Sequence, residues 1–152
     1  MCSSDLWEPT PAAWEDQALG ARFARVMELR PLVLRALEDQ RQEGAIGSSL
    51  EARVVLRSAS PADQEYLRGI APLLPALLIV SQVEIQPVDT VEKGAGGSFG
   101  RTEIVVEKAA GDKCARCWNF SPEVGQAQDH PQICGRGAAV VRQLGADEPA
   151  PA

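Results

Sequence analysis

The stretch "KCARCWNFSPEVGQAQDHPQICGRG" runs from Lys113 to Gly137 and holds three of the chain's four cysteines. Cys114 and Cys117 form a C-x-x-C pair, and after sixteen intervening residues Cys134 opens a second pair that closes on Gly137. At every position but the last this is the spacing of a two-knuckle zinc ribbon. Two thiolates on one tight turn span an edge of a tetrahedron, and zinc imposes no geometry of its own on the set. The short residues Ala115 and Gly135, with Arg136, leave the backbone N–H groups of each turn free to face sulfur. Two other readings stand beside it: reduced thiols buried as small apolar groups, and a redox pair, for which the βαβ surroundings are missing. His130, four residues before Cys134, is the one histidine and a weak candidate for the missing donor. Its place in "DHPQ" also suits a turn residue pinned by Pro131.

Working outward, the 152 residues suffice for one domain or two small ones, and 45% hydrophobic with 24% charged residues is a globular composition. A net charge of -6 argues against a free-standing nucleic-acid binder, without excluding one basic face. The apolar run Leu73–Val80 is too short for a membrane span and no leader pattern opens the chain. Crowded C-x-x-C cysteines point to metal in a reducing compartment rather than to disulfides. Residues 1–6, "MCSSDL", read as a non-native adapter-derived stretch that carries Cys2, so the chain is expected to begin within a longer protein.

Residues 7–44 read as helical, starting at Thr10–Pro11, with a stripe of Trp14, Ala18, Phe23, Val26, Met27, Val33, Leu34 and Leu37. Pro31 predicts a kink or break near Leu29–Arg30, and Gly44 predicts the C-terminal stop. Residues 45–110 read as a small α/β unit. A strand spans Arg53–Arg57, and a helix is capped by Ser60 with Pro61 and Asp63 behind it. A strand with one buried run lies in "LLIVSQVEIQPV", and "RTEIVVEKA" is a returning strand. The four glycines of "EKGAGGSFG" fail the phosphate-loop spacing and predict a floppy hairpin loop. Residues 111–144 form the ribbon, and 145–152 read as a disordered tail.

"IGSSLEARV" (Ile46–Val54), "LLIVSQVE" (Leu77–Glu84) and the cysteine stretch together resemble the carboxy-terminal part of bacterial-type isoleucyl-tRNA synthetases, class I aminoacyl-tRNA synthetases. A similar ribbon ends DNA glycosylases of the formamidopyrimidine type, but their amino-terminal proline and helix–two-turn–helix have no counterpart. The resemblance implies an α+β fragment: the end of a helical anticodon-binding bundle, a small α/β junction and a terminal zinc-ribbon knuckle. It implies a cytoplasmic, monomeric parent that attaches isoleucine to its tRNA using ATP, with the catalytic and editing domains outside this chain. Residue by residue, Cys114, Cys117 and Cys134 match three zinc ligands, and Gly137 departs from the fourth. From Lys108 to Arg142 five basic residues face three acidic ones, so Lys113, Arg116, Trp118 and Arg136 are the candidate tRNA contacts. Trp118 and Phe120 are expected mainly to pack the ribbon's small core, with base stacking as the alternative. The competing reading of the chain is a free-standing zinc-ribbon interaction module.

Overall fold

The computed structural model describes residues 11–146. The adapter-like stretch with Cys2, the Thr10 cap and tail residues 147–152 lie outside them. The architecture is mixed helix and strand, in the order α1 (Gln17–Gln42), β1 (Ala52–Ser58), α2 (Pro61–Gly69), α3 (Leu74–Leu78), β2 (Gln82–Pro87), β3 (Thr102–Lys108), β4 (Asp112–Lys113), β5 (Phe120–Ser121) and α4 (Gly135–Ala146).

Pro11 precedes only a short 3-10 turn, Ala12–Trp14. The helix proper begins one cap later, where Asp16 accepts a hydrogen bond from the Leu19 amide at 2.8 Å. It then runs unbroken through Pro31, whose ring sits on the exposed side. At its end Gly44, at φ +75°, takes the left-handed turn; its amide and that of Ala45 reach back to Arg41 and Gln40. The buried stripe is Val26, Leu29, Val33 and Leu37. Met27 and Leu34, their immediate neighbours, are exposed instead, as is Trp14. At 100° per residue only one of two adjacent positions can face the core.

Strand β1 is the centre of a three-stranded sheet, order β2-β1-β3, parallel to β2 and antiparallel to β3. The register lines up Val83, Val54 and Val106 in one row and Ile85, Leu56 and Ile104 in the next, all on the face covered by helices. The opposite face carries ion pairs from Arg53 to Glu84 (3.0 Å) and Glu107 (3.4 Å) and from Arg57 to Glu103 (3.6 Å). Ser60 caps α2 by accepting from the Asp63 amide, as its motif predicts. Asp63 itself is buried, paired with Arg25 and within 3.4 Å of the Thr102 hydroxyl, which donates to Ser58 at 3.0 Å.

Three further expectations need correction. The apolar run before Ser81 is not strand: Leu74–Leu78 is helical, and Ile79 turns the chain at φ +57°. Strand β2 begins only at Gln82 and is half-buried along most of its length. The glycine segment is neither floppy nor a hairpin, because β3 pairs with β1 and not with β2. Phe99 from that segment is fully buried, Ala95 donates to the Thr102 carbonyl at 2.7 Å, and Gly94 packs directly on the Gly100 carbonyl. Finally, Gly145 and Ala146, read as the start of a disordered tail, continue α4.

Candidate metal centre

The ribbon is pinned to the sheet before it forms any site of its own. Ser81, just ahead of β2, accepts from the Phe120 amide at 2.7 Å. The Gln82 side chain brackets Ala110, donating to its carbonyl at 2.8 Å and accepting from its amide at 3.1 Å. These bonds set β4 against β5, with Lys113 opposite Phe120. Cys114 follows directly. Its amide donates to the Asn119 carbonyl, and Trp118 donates back to the Cys114 carbonyl, both at 2.9 Å. That closes the first knuckle, with Trp118 in the left-handed region at φ +66°. The second turn docks when Ala115 donates to the Gln132 carbonyl at 2.9 Å. Cys134 then leads straight into α4, which a two-toothed Arg142–Asp129 pair holds against the intervening loop.

Cys114, Cys117 and Cys134 converge, with their sulfurs all within 4.8 Å of one another, and Cys117 and Cys134 are 3.8 Å apart. Cys114 and Cys134 are buried and Cys117 half-buried. The amides of Cys117 (3.5 Å) and Cys134 (3.4 Å) point at the Cys114 sulfur. Burial pushes the Cys114 thiol up, but these amides, with that of Arg116 and the Cys117 thiol, outweigh it and bring the group down to about 6. Burial drives Cys134 the other way, above the ordinary thiol value, and the neighbouring sulfurs add to it. Amides aimed at sulfur are a cradle for thiolate, the form that binds metal.

A pH titration of the metal-free chain, followed by thiolate ultraviolet absorbance, should therefore show one cluster thiol ionising near pH 6 and another above the ordinary value of 9.0. A thiol whose folded pKa is depressed stabilises the fold above its unfolded pKa, and that contribution falls away as pH drops through 6. Cys114→Ser should remove the early step; its persistence would sink the assignment.

No fourth donor joins the sulfurs among the described residues. Gly137 is buried in the first turn of α4, and a Cβ placed on it would lie 3.7 Å from the Cys134 sulfur and 3.5 Å from Ile133 Cβ. His130 turns elsewhere, its Nε2 3.8 Å from Asp129. Glu123 lays its carboxylate over Gly135, 2.6 Å from where a Cβ would stand, outside the cluster. Among the described residues the cluster thus offers a metal three thiolates and no fourth protein donor.

Lys113, Arg116 and Arg136, the basic candidates, are exposed around the two turns. Trp118 does not pack the ribbon core: it is 61% exposed, with the Lys113 ammonium 5.0 Å from its ring centre. Phe120 is half-buried. Trp118 is exposed at a left-handed backbone position, φ +66°, within the first knuckle.

Residues 111–136 match the family described as the zinc finger found in FPG and IleRS. The isoleucine–tRNA ligase of Syntrophotalea carbinolica is 42% identical over 86% of this chain. That of Carboxydothermus hydrogenoformans is 42% identical over 85%, and that of Desulforudis audaxviator 38% over 92%. Most of this chain is similar to one part of isoleucine–tRNA ligases. It spans 14–15% of the length of these ligases, and the similarity reaches well beyond the finger into the helical and sheet elements. No described helix is long and apolar enough to cross a membrane.

Proposed function

We propose that the chain is the carboxy-terminal, tRNA-binding part of an isoleucine–tRNA ligase, itself non-catalytic. The parent would be a cytoplasmic, monomeric enzyme that joins isoleucine to its tRNA at the expense of ATP. The observation that carries the reading is the identity of 42% over 86% of the chain, covering the helix, the sheet and the ribbon together. Residues 7–44 are assigned to the end of the helical anticodon-binding part, 45–110 to the α/β junction and 111–144 to the ribbon. The cysteines hold a structural metal, with zinc bound weakly through three protein thiolates.

The ribbon surface supports an RNA role on physical grounds. An exposed indole offers a stacking face for an unpaired base, and Lys113, Arg116 and Arg136 offer charge to the neighbouring phosphates. The Lys113 ammonium beside the indole supplies both contacts at one point. Filter binding of isoleucine tRNA to the chain, at several salt concentrations, tests this. Trp118→Ala is expected to weaken binding by about 1–3 kcal/mol. Lys113→Ala should lower the slope of log affinity against log salt by about 1. Equal binding by the wild type and a Lys113→Ala/Arg116→Ala/Trp118→Ala/Arg136→Ala variant would overturn the interface.

A further inference from the structure

The ribbon departs from a four-thiolate site at one position, and the structure shows what stands there. Gly137 is buried on an ordinary helical backbone, with the side chain of Ile133 on the side from which a ligand would reach. Neither His130, turned to Asp129, nor Glu123, lying over Gly135, joins the three sulfurs. The corner is apolar. With no fourth protein donor among the described residues, zinc bound here takes its fourth donor from water, beside a wall lined by an aliphatic side chain. An ion that completes its shell with three sulfurs has no such need.

We propose that this cluster is a three-coordinate thiolate site, which takes thiophilic ions such as trivalent arsenic in preference to zinc. Trivalent arsenic forms three bonds and keeps a lone pair in the fourth direction, so the glycine–isoleucine corner suits it. The binding step conserves atoms and electrons: arsenous acid, As(OH)3, exchanges its three hydroxyls for the thiolates of Cys114, Cys117 and Cys134. Three thiol protons leave with the hydroxyls as three waters, and no atom changes oxidation state. The inference rests on the metal-site part of the proposed function and is independent of tRNA.

The test uses the reduced, metal-free 152-residue chain carrying Cys2→Ser, so that only cluster thiols are counted. Arsenite and zinc are titrated separately and in competition, with free thiols and bound ion measured at each point. One arsenite should remove three thiols per chain and should displace zinc. Gly137→Cys should tighten zinc by about 100-fold or more while changing arsenite affinity by less than about 3-fold. Gly137→Ala should alter neither, which shows that the backbone accepts a side chain there. The inference is overturned if arsenite consumes only two thiols, or if zinc binds the wild type as tightly as it binds Gly137→Cys. It is also overturned if His130→Ala or Glu123→Gln releases the zinc, since a protein side chain would then be the fourth donor. Failure to bind either ion would overturn the metal-site reading as well, whereas tight four-coordinate zinc would overturn this inference alone.

Discussion

Phe99→Ala is expected to destabilise the chain by about 3–5 kcal/mol, a large fraction of the roughly 5–15 kcal/mol that holds a domain folded. Phe99 heads the fully buried side chains by volume, and it arrives from a glycine-rich segment with no other large apolar residue. Its ring sits in the core shared by α1, the sheet and the α2–α3 arm. The Arg25 guanidinium lies 5.4 Å from its centre and 4.4 Å from that of Tyr66, and the same guanidinium neutralises buried Asp63. Truncation therefore opens a cavity, and it also loosens the arginine that balances a buried charge. The segment has little else to hold it. Ser98 donates to Glu28, Ala95 to Thr102, and the rest is backbone closing on itself. Urea denaturation would show the loss as a lowered midpoint, and Phe99→Leu, which keeps most of the volume, should cost less than half as much. A loss below about 1 kcal/mol for the alanine variant would mean that the loop detaches without the core noticing.

How much of this was legible in the sequence follows the reach of each interaction. The Ser60 cap and the Gly44 stop are visible because their partners lie within a few residues, and the cysteines because their spacing is itself a pattern, although Cys134 lies seventeen positions beyond Cys117. The α1 stripe was half legible. The spacing marks Val26, Val33 and Leu37 correctly but points to Met27 and Leu34 rather than Leu29, since apolar neighbours blur a 3.6-residue period. Pro31 predicts a kink or a break, and the helix does not break, because an exposed proline in a long, well-packed helix loses one backbone bond and little more. Pairing of β3 with β1 was not legible, since strand order depends on which faces the helices cover. Nor was Phe99, although a lone aromatic among glycines was the available hint. Helix α4 carries no strong start signal: it opens on Gly135, and the Arg142–Asp129 pair that holds it spans a loop. The three thiols were legible as a set. The exposure of Trp118 was not, because an aromatic in so small a unit reads as core by default.

The second large effect is expected at Gly111, where alanine should cripple the ribbon and spare the sheet. Gly111 sits at φ +85°, and a Cβ there would run into the backbone of Ser121 and Pro122. The left-handed conformation alone costs a non-glycine residue about 1–2 kcal/mol. The collision is worse, since it is with main chain that cannot rotate away. The ladder it strikes has only two residue pairs, Asp112 with Ser121 and Lys113 with Phe120, too few to absorb a displacement. Cys114 follows Lys113 immediately, so moving β4 moves the buried thiol away from the amides of Cys117 and Cys134. Gly111→Ala should therefore lower metal affinity by about 10-fold or more. It should also speed amide exchange at Cys114 and Phe120 while leaving exchange in β1 and β3 unchanged. Gly125→Ala is the matched control: its φ is +91° but nothing lies within 4 Å of the added carbon, so it bears the conformational cost without the collision. Unaltered metal affinity in Gly111→Ala would refute this, because it would mean that the three sulfurs hold their positions without the β4–β5 ladder beneath them.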